Sequence, residues 1–211
     1  MLIVGAKGFA KEILEICKQN DELEHLVFYD DVNLEVCGKL FDTFPILKSL
    51  EEAKNYFETI DPRFSIGIGI PPLRKILYEK FIDLGGQYTS TISPKADLGS
   101  FGVNIGEGAN ILDGAKISNA VTIGKGSIVY YNAVVTHDCH LGDFVELSPS
   151  VNVSGRVKIG NMTRLGTGTI VLPDRIIGNN VIIGAGAVVT QNIPDNCTAV
   201  GVPARIIKRK E

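Results

Sequence analysis

Three histidines, His25, His137 and His140, are the side chains of this 211-residue chain best suited to proton transfer near neutral pH. His137 stands apart because Asp138 follows it directly. A carboxylate beside an imidazole can fix the ring's tautomer and stabilise its cation, which is how a general base is built. The competing reading is a solvated His–Asp pair on the surface. His140 reads as structural, and so does His25 at the start of a strand in the first half. A metal centre would need a third ligand beside His137 and His140, and the repeat that contains them supplies no further histidine. Cys17, Cys37, Cys139 and Cys197 are far apart, with no Cys-x-x-Cys pair. Neither a zinc site nor a disulfide framework is indicated, and reduced thiols are expected.

The element that must position His137 is a repeat. From Ile105, every sixth residue up to Val189 is a branched aliphatic, through Ile111, Ile117, Ile123, Val129 and Val135 to Leu141, Leu147, Val153 and beyond. A helix needs a period of 3.6 and a flat strand a period of 2. Six fits a parallel β-helix, in which three hexapeptides make one triangular coil of eighteen residues. The aliphatic side chains point inward and stack about 4.8 Å apart along the axis. Glycine often follows the aliphatic residue, as at Gly106, Gly124, Gly142 and Gly160, and is expected to serve corners where backbone angles are hard for other residues. Four positions after the aliphatic residue the side chain is small or β-branched, with Arg175 the exception. Ile92 and Leu98 keep the spacing but stand one residue out of phase, which predicts a small insertion before Ile105. One coil beyond His137 comes Gly155, so the position stacked on the imidazole has no side chain. Open space and an accessible backbone amide are expected there.

Residues 1–88 read as a separate small α/β domain and 89–211 as the β-helix domain. Leu2-Ile3-Val4 is a strand, Gly5-Ala6-Lys7-Gly8 a tight turn, and Phe9–Lys18 a helix. His25–Tyr29 is a second strand ending in Asp30-Asp31. Ser49 caps a helix to Tyr56, Phe64–Gly69 is a third strand, and Pro71-Pro72 opens a helix to about Leu84. Alternation of strand and helix implies a parallel sheet. The dinucleotide fingerprint would need glycine at Lys7 and Ala10, so NAD is poorly supported, while a phosphate cradle at the helix start stays open. A net charge of −3 gives nucleic acid little footing. The apolar run Met1–Val4 is too short for a signal peptide or a membrane span, and a soluble, cytoplasmic protein is expected.

This repeat resembles the hexapeptide acyltransferase family, which folds as a left-handed β-helix. Gly201-Val202-Pro203-Ala204 is similar to the family's closing Gly-x-Pro-Ala segment, and the resemblance covers residues 91–207. The whole arrangement, a small Rossmann-like α/β domain and then a left-handed parallel β-helix, resembles the sialic acid O-acetyltransferase branch. That branch includes N-acetyltransferases acting on nucleotide-linked 4-amino-6-deoxy sugars. The resemblance implies acetyl-CoA as co-substrate, no metal, His137 as general base and Asp138 as its partner. It implies a Gly155 amide near the thioester carbonyl and Thr167 and Ala185 as backbone contacts along the coenzyme A channel. Glu146 stands where many relatives carry a histidine approaching the acetyl group, which places it among the cofactor contacts. Gly5, Gly8, Asp30, Asp31, Gly69 and Arg74 are implied as the nucleotide-sugar site, although Ile70-Pro71-Pro72 departs from the asparagine that often follows Gly69. A homotrimer with the cofactor between neighbouring β-helices is implied, and an exposed aliphatic-rich side would suit a three-fold axis. N-acetylation of a nucleotide-linked amino sugar for bacterial surface glycan is the leading expectation, and O-acetylation of sialic acid or a related sugar the alternative. A metalloenzyme of the carbonic anhydrase type lacks its third histidine, and a non-catalytic scaffold leaves the His–Asp pair unexplained.

Overall fold

The computed structural model describes residues 1–209, which form two compact units, Met1–Thr91 and Ile92 onward. The first unit runs β1 (Leu2–Val4), α1 (Gly8–Gln19), β2 (Val27–Tyr29), β3 (Lys39–Leu40), β4 (Phe44–Leu47), α2 (Leu50–Thr59), β5 (Arg63–Ile66), α3 (Pro71–Asp83) and β6 (Gln87–Tyr88). Its sheet has the order β3-β4-β2-β1-β5-β6, parallel except for the β3–β4 pair. The central β1 is buried on both faces, which is why it reads as an unbroken apolar run. One stripe of α1, from Phe9 and Ala10 to Ile13, Leu14 and Cys17, is buried. Ser49 and Glu52 close the expected capping box at the start of α2.

Three local expectations change. His25 is not in a strand; it lies in a left-handed turn (φ 57°), and its carbonyl accepts the Tyr56 hydroxyl at 2.8 Å. Strand β4 contains Pro45, whose missing N–H hid it from the sequence pattern. Strand β5 ends at Ile66, so Gly67-Ile68-Gly69 forms the loop beyond it. A Cβ on Gly67 would stand 2.5 Å from the Ala10 Cβ, so this glycine is what lets α1 pack closely against the sheet.

The second unit is a parallel β-helix whose three sheets hold eight, six and five strands. Successive strands pair eighteen residues apart, as in Val129↔Leu147↔Leu165↔Ile183. Leu98 pairs with Ile117, nineteen residues on, whereas Ile105 pairs with Ile123, so the extra residue lies where the phase shift put it. The last coil is shorter, with Ile183 facing Ala199. The inward aliphatics and the small residues four positions later form one continuous core. Buried hydroxyls in that second series answer backbone groups; Thr163 Oγ1, for instance, donates to the Gly178 carbonyl and accepts the Val181 amide.

The glycines do not serve the corners as expected. Positive φ recurs at every sixth residue from Gly102 to Gly186, three positions before the next aliphatic, and nine of those fifteen residues are not glycine. Gly106, Gly124 and Gly142 lie outside that series. A Cβ on Gly124 would come within 2.4 Å of the Gly142 backbone, so these glycines permit coil-to-coil approach instead. Exposed aliphatics occur on all three sheets, at Ile170, Ile176 and Ile182, and the sheet of Ile182 also carries the exposed Ile206 and Ile207.

Two measurements test this core. Leu147→Ala, in a fully buried position, should cost about 2–5 kcal/mol in denaturant unfolding; a loss below about 0.5 kcal/mol would contradict the stacked core. Cys37 is exposed and the other three thiols are buried, and burial, with Glu22 nearby, pushes Cys17 up to about 12. A thiol reagent at pH 8 should therefore titrate one cysteine in the native protein and all four after unfolding.

Candidate active site

His137 and Asp138 occupy the corner that follows the strand Val134–Val135. Asp138 takes the left-handed conformation of that corner (φ 59°), an arrangement aspartate tolerates better than most residues. The turn brings its carboxylate back to the ring, and Oδ2 lies 2.7 Å from the imidazole Nδ1. A carboxylate only accepts, so Nδ1 donates here, and in the neutral ring Nε2 is then the nitrogen with the lone pair. Both side chains are a little over half exposed, at 53% and 55%. The space over Gly155 is not open, as the sequence suggested; the imidazole itself lies there. A Cβ on Gly155 would be 2.6 Å from the ring Cε1 and 2.7 Å from Nε2. Glycine at this position seats the ring.

Cys139 is part of the core: burial raises its thiol pKa, and Sγ donates to the Ser154 carbonyl at 3.1 Å. His140 stands exposed on the outer side of the next strand, in register with Thr122 and Lys158. Arg156 and Asp174, not anticipated from the sequence, continue the Asp138 column at steps of eighteen. Arg156 Nε and Nη2 grip the two Asp174 oxygens at 2.6 and 2.9 Å. The same step that found Gly155 from His137 finds both residues from Asp138.

Thr167 and Ala185 lie on a different corner, after the strands Arg164–Leu165 and Ile182–Ile183. They line one groove with Ser148, Arg164, Gly166 and Gly184, where small residues leave the backbone accessible. Glu146 is buried rather than presented to solvent. Its Oε1 meets Arg164 Nε at 3.1 Å and accepts the Ser148 hydroxyl at 3.3 Å. Within one chain, then, the imidazole corner and the groove belong to different sheets.

In the first unit Gly5, Asp30 and Asp31 line one pocket with Val4, Val32, Ile68 and Leu73. Gly5 needs its own backbone freedom there (φ 104°). Asp30 is turned inward: its carboxylate accepts the Asn33 backbone amide and side-chain amide, both at 2.9 Å, and shapes the loop. Asp31 is the acid that faces outward, 3.5 Å from Lys80 Nζ. Partial burial acts against its charge, but the neighbouring Tyr29 hydroxyl and the Lys80 ammonium win and hold its pKa below the ordinary value. Gly8 starts α1 beside the pocket's turn and Gly69 lies beyond its lining. Arg74 is corrected outright: it is fully buried and donates to the Gly69 carbonyl, so it braces the loop end instead of presenting charge to a ligand. Among the described residues, no three His, Cys, Asp or Glu side chains converge as a metal site, and no helix is long and apolar enough to cross a membrane.

A β-helix with an imidazole–carboxylate corner, preceded by an α/β unit with an acid-edged pocket, defines the class of hexapeptide-repeat transferases. Residues 1–81 match the PglD N-terminal domain family, and residues 156–191 match the bacterial transferase hexapeptide (six repeats) family. The chain is 31% identical to a perosamine N-acetyltransferase variant from Caulobacter crescentus, solved in complex with CoA and GDP-perosamine. That alignment covers 98% of this chain and 96% of the other, with a TM-score of 0.91. It is also similar to the acetyltransferase domain of PglB from Neisseria gonorrhoeae FA1090 in complex with acetyl coenzyme A, at 29% identity, 98% coverage of both chains and a TM-score of 0.87. Galactoside O-acetyltransferase of Lactococcus lactis matches at 56% identity over 43 residues, 20% of each chain. The chain spans about a fifth of the length of the curated relatives it matches. The chain belongs to the hexapeptide-repeat, left-handed β-helix family of acetyl-CoA-dependent sugar acetyltransferases, in the branch with an N-terminal α/β domain.

The seat of the ring gives a direct test. Gly155→Ala should fold and yet lower acetyl-CoA thiol release about 100-fold, because the new methyl must push His137 by close to an ångström. Wild-type rates in this variant would show that the ring's position over Gly155 does not matter.

Proposed function

We propose that this protein transfers an acetyl group from acetyl-CoA to the amine of a nucleotide-linked 4-amino-6-deoxy sugar, in the cytoplasm, for bacterial surface-glycan synthesis. The observation that carries the reading is the 2.7 Å contact between His137 Nδ1 and Asp138 on a half-exposed ring. That contact leaves the Nε2 lone pair for the acceptor. The sugar amine attacks the thioester carbonyl as Nε2 takes one of its protons. The carbonyl oxygen gathers negative charge, and the Gly155 amide is the donor proposed for it. Collapse breaks the C–S bond, and the imidazolium returns the proton to the departing coenzyme A thiolate.

The nucleotide is assigned to the pocket beside Gly5. Its apolar wall from Val4, Ile68 and Leu73 suits a base, and Asp31 offers a hydrogen-bond acceptor at its rim. The match of residues 1–81 to the PglD N-terminal domain and the relative bound to GDP-perosamine support a nucleotide-linked acceptor. O-acetylation of sialic acid or a related sugar is the second reading, favoured by the identity to galactoside O-acetyltransferase across part of the coils.

Placement of His137 on one corner and of Thr167 and Ala185 on another supports a homotrimer. Coenzyme A lying along the groove of one copy would then meet the imidazole of the next.

Thiol release should be measured with UDP-, dTDP- and GDP-linked amino sugars beside free and CMP-linked sialic acid. An amino sugar should give release that falls about 100- to 10,000-fold in His137→Ala. Release with sialic acid alone moves the protein to O-acetylation, and full activity without His137 rejects the base. For the assembly, His137→Ala and Ala185→Trp should each be inactive, yet co-expressed copies should regain activity at about a quarter of their sites. No recovery in the mixture would argue against a shared site.

A further inference from the structure

We infer that Asp174 is a positioning residue for the His137–Asp138 pair, because it holds the Arg156 guanidinium away from Asp138. The inference rests on the reading of His137 as the base. Asp138, Arg156 and Asp174 occupy the same left-handed corner of three successive coils, with φ of 59°, 61° and 63°. Backbone bonds fix the stacking: Arg156 N–H donates to the His137 carbonyl at 3.0 Å, and Asp174 N–H donates to the Gly155 carbonyl at 3.1 Å. One coil step, about 4.8 Å, therefore separates Arg156 from an aspartate on either side. The column reads negative, positive, negative.

Only one of those aspartates receives the fork. Arg156 binds Asp174 with two nitrogens, and Asp138 stays with His137. On the coil before Asp138 the column holds Ala120, which brings no charge. Arg175, beside Asp174, spends its guanidinium on the Pro173 and Thr190 carbonyls. Among the described residues, the charged groups that follow Asp138 in its column are Arg156 and Asp174, while the neighbouring Cys139 lies in the core and His140 on the outer side of the next strand, in register with Lys158. The Asp174 carboxyl is held below its ordinary value chiefly by Arg156; the Arg156 pKa is raised mainly by Asp174, and Asp138 also contributes.

Both partners of the Arg156–Asp174 pair are 53% exposed, and an ion pair of that kind adds little to stability. Its consequence is a choice of partner. A planar fork offers a carboxylate two N–H groups where an imidazole offers one. Without Asp174, the carboxylate left to Arg156 in this column is Asp138, one coil away, and capture there would strip His137 of the group that fixes its tautomer and supports its cation.

The test uses the full chain with ¹⁵N-labelled histidine, following the His137 ring by NMR alongside the pH profile of thiol release. In Asp174→Ala the His137 pKa should fall by roughly one pH unit, since losing an opposite charge disfavours the cation. The acidic limb of kcat/KM should move down with it, and the plateau should drop at least tenfold. In the double variant R156A/D174A, where no fork remains to compete, both the titration and the rate should return to within about twofold of wild type. An unchanged titration in Asp174→Ala overturns the inference, and so does a loss that the double variant fails to recover. If the titration shifts and recovers while the rate never changes, Asp174 does position the pair and it is the assignment of His137 as base that fails.

Discussion

The eighteen-residue coil is the constraint on which the rest of this protein's second unit depends. Each inward aliphatic must land on its equivalent one coil away, because a lateral shift of one residue would turn the whole stack outward. Backbone bonds between coils enforce the same step, as from Gly142 N–H to the Ile159 carbonyl and from Arg156 N–H to that of His137. A repeat locked in this way converts sequence distance into spatial adjacency. Residues eighteen apart stack, whatever their type.

The candidate site is attached to that lattice at its corners. The turn conformation recurs every six residues, and most residues that adopt it pay about 1–2 kcal/mol of strain relative to glycine. At Asp138 the same conformation has a chemical consequence, since it folds the carboxylate back onto the preceding histidine. Gly155 shows the complementary device: a missing side chain in one coil makes a seat for a ring in the coil before. The charge column of Asp138, Arg156 and Asp174 then decides which carboxylate each cation meets. The geometry of this candidate site is a matter of register, with the individual side chains choosing among stacked neighbours.

The first unit is organised differently. Its pocket sits at the ends of β1 and β2, where parallel strands deliver their loops to one edge of the sheet. Close packing at Gly67 and Ala10 brings the helix against the strand end, and buried Arg74 braces the loop that follows. Loop shape is further held by Lys48, whose ammonium donates to the Asp30 and Asn33 carbonyls at 2.6 and 2.9 Å. The result is an apolar slot with one outward acid.

What the sequence determined by itself was the coil. An unbroken series from Ile105 to Val189 fixes the period, the inward face, the insertion before Ile105 and the stacking of His137 on Gly155, because each is a matter of counting residues. The order of strands and helices in the first unit was legible for the same reason, through apolar periodicity, the Ser49 cap and Pro71. Contacts that depend on side-chain direction were decided only by the tertiary structure. The imidazole filled the space over Gly155, Glu146 turned to Arg164, Asp30 turned into its own loop, and Arg74 was buried. The corner glycines had their reason reassigned from backbone angle to coil spacing. In each case the residue's type permitted several partners, and which one it took depended on distances that only folding sets.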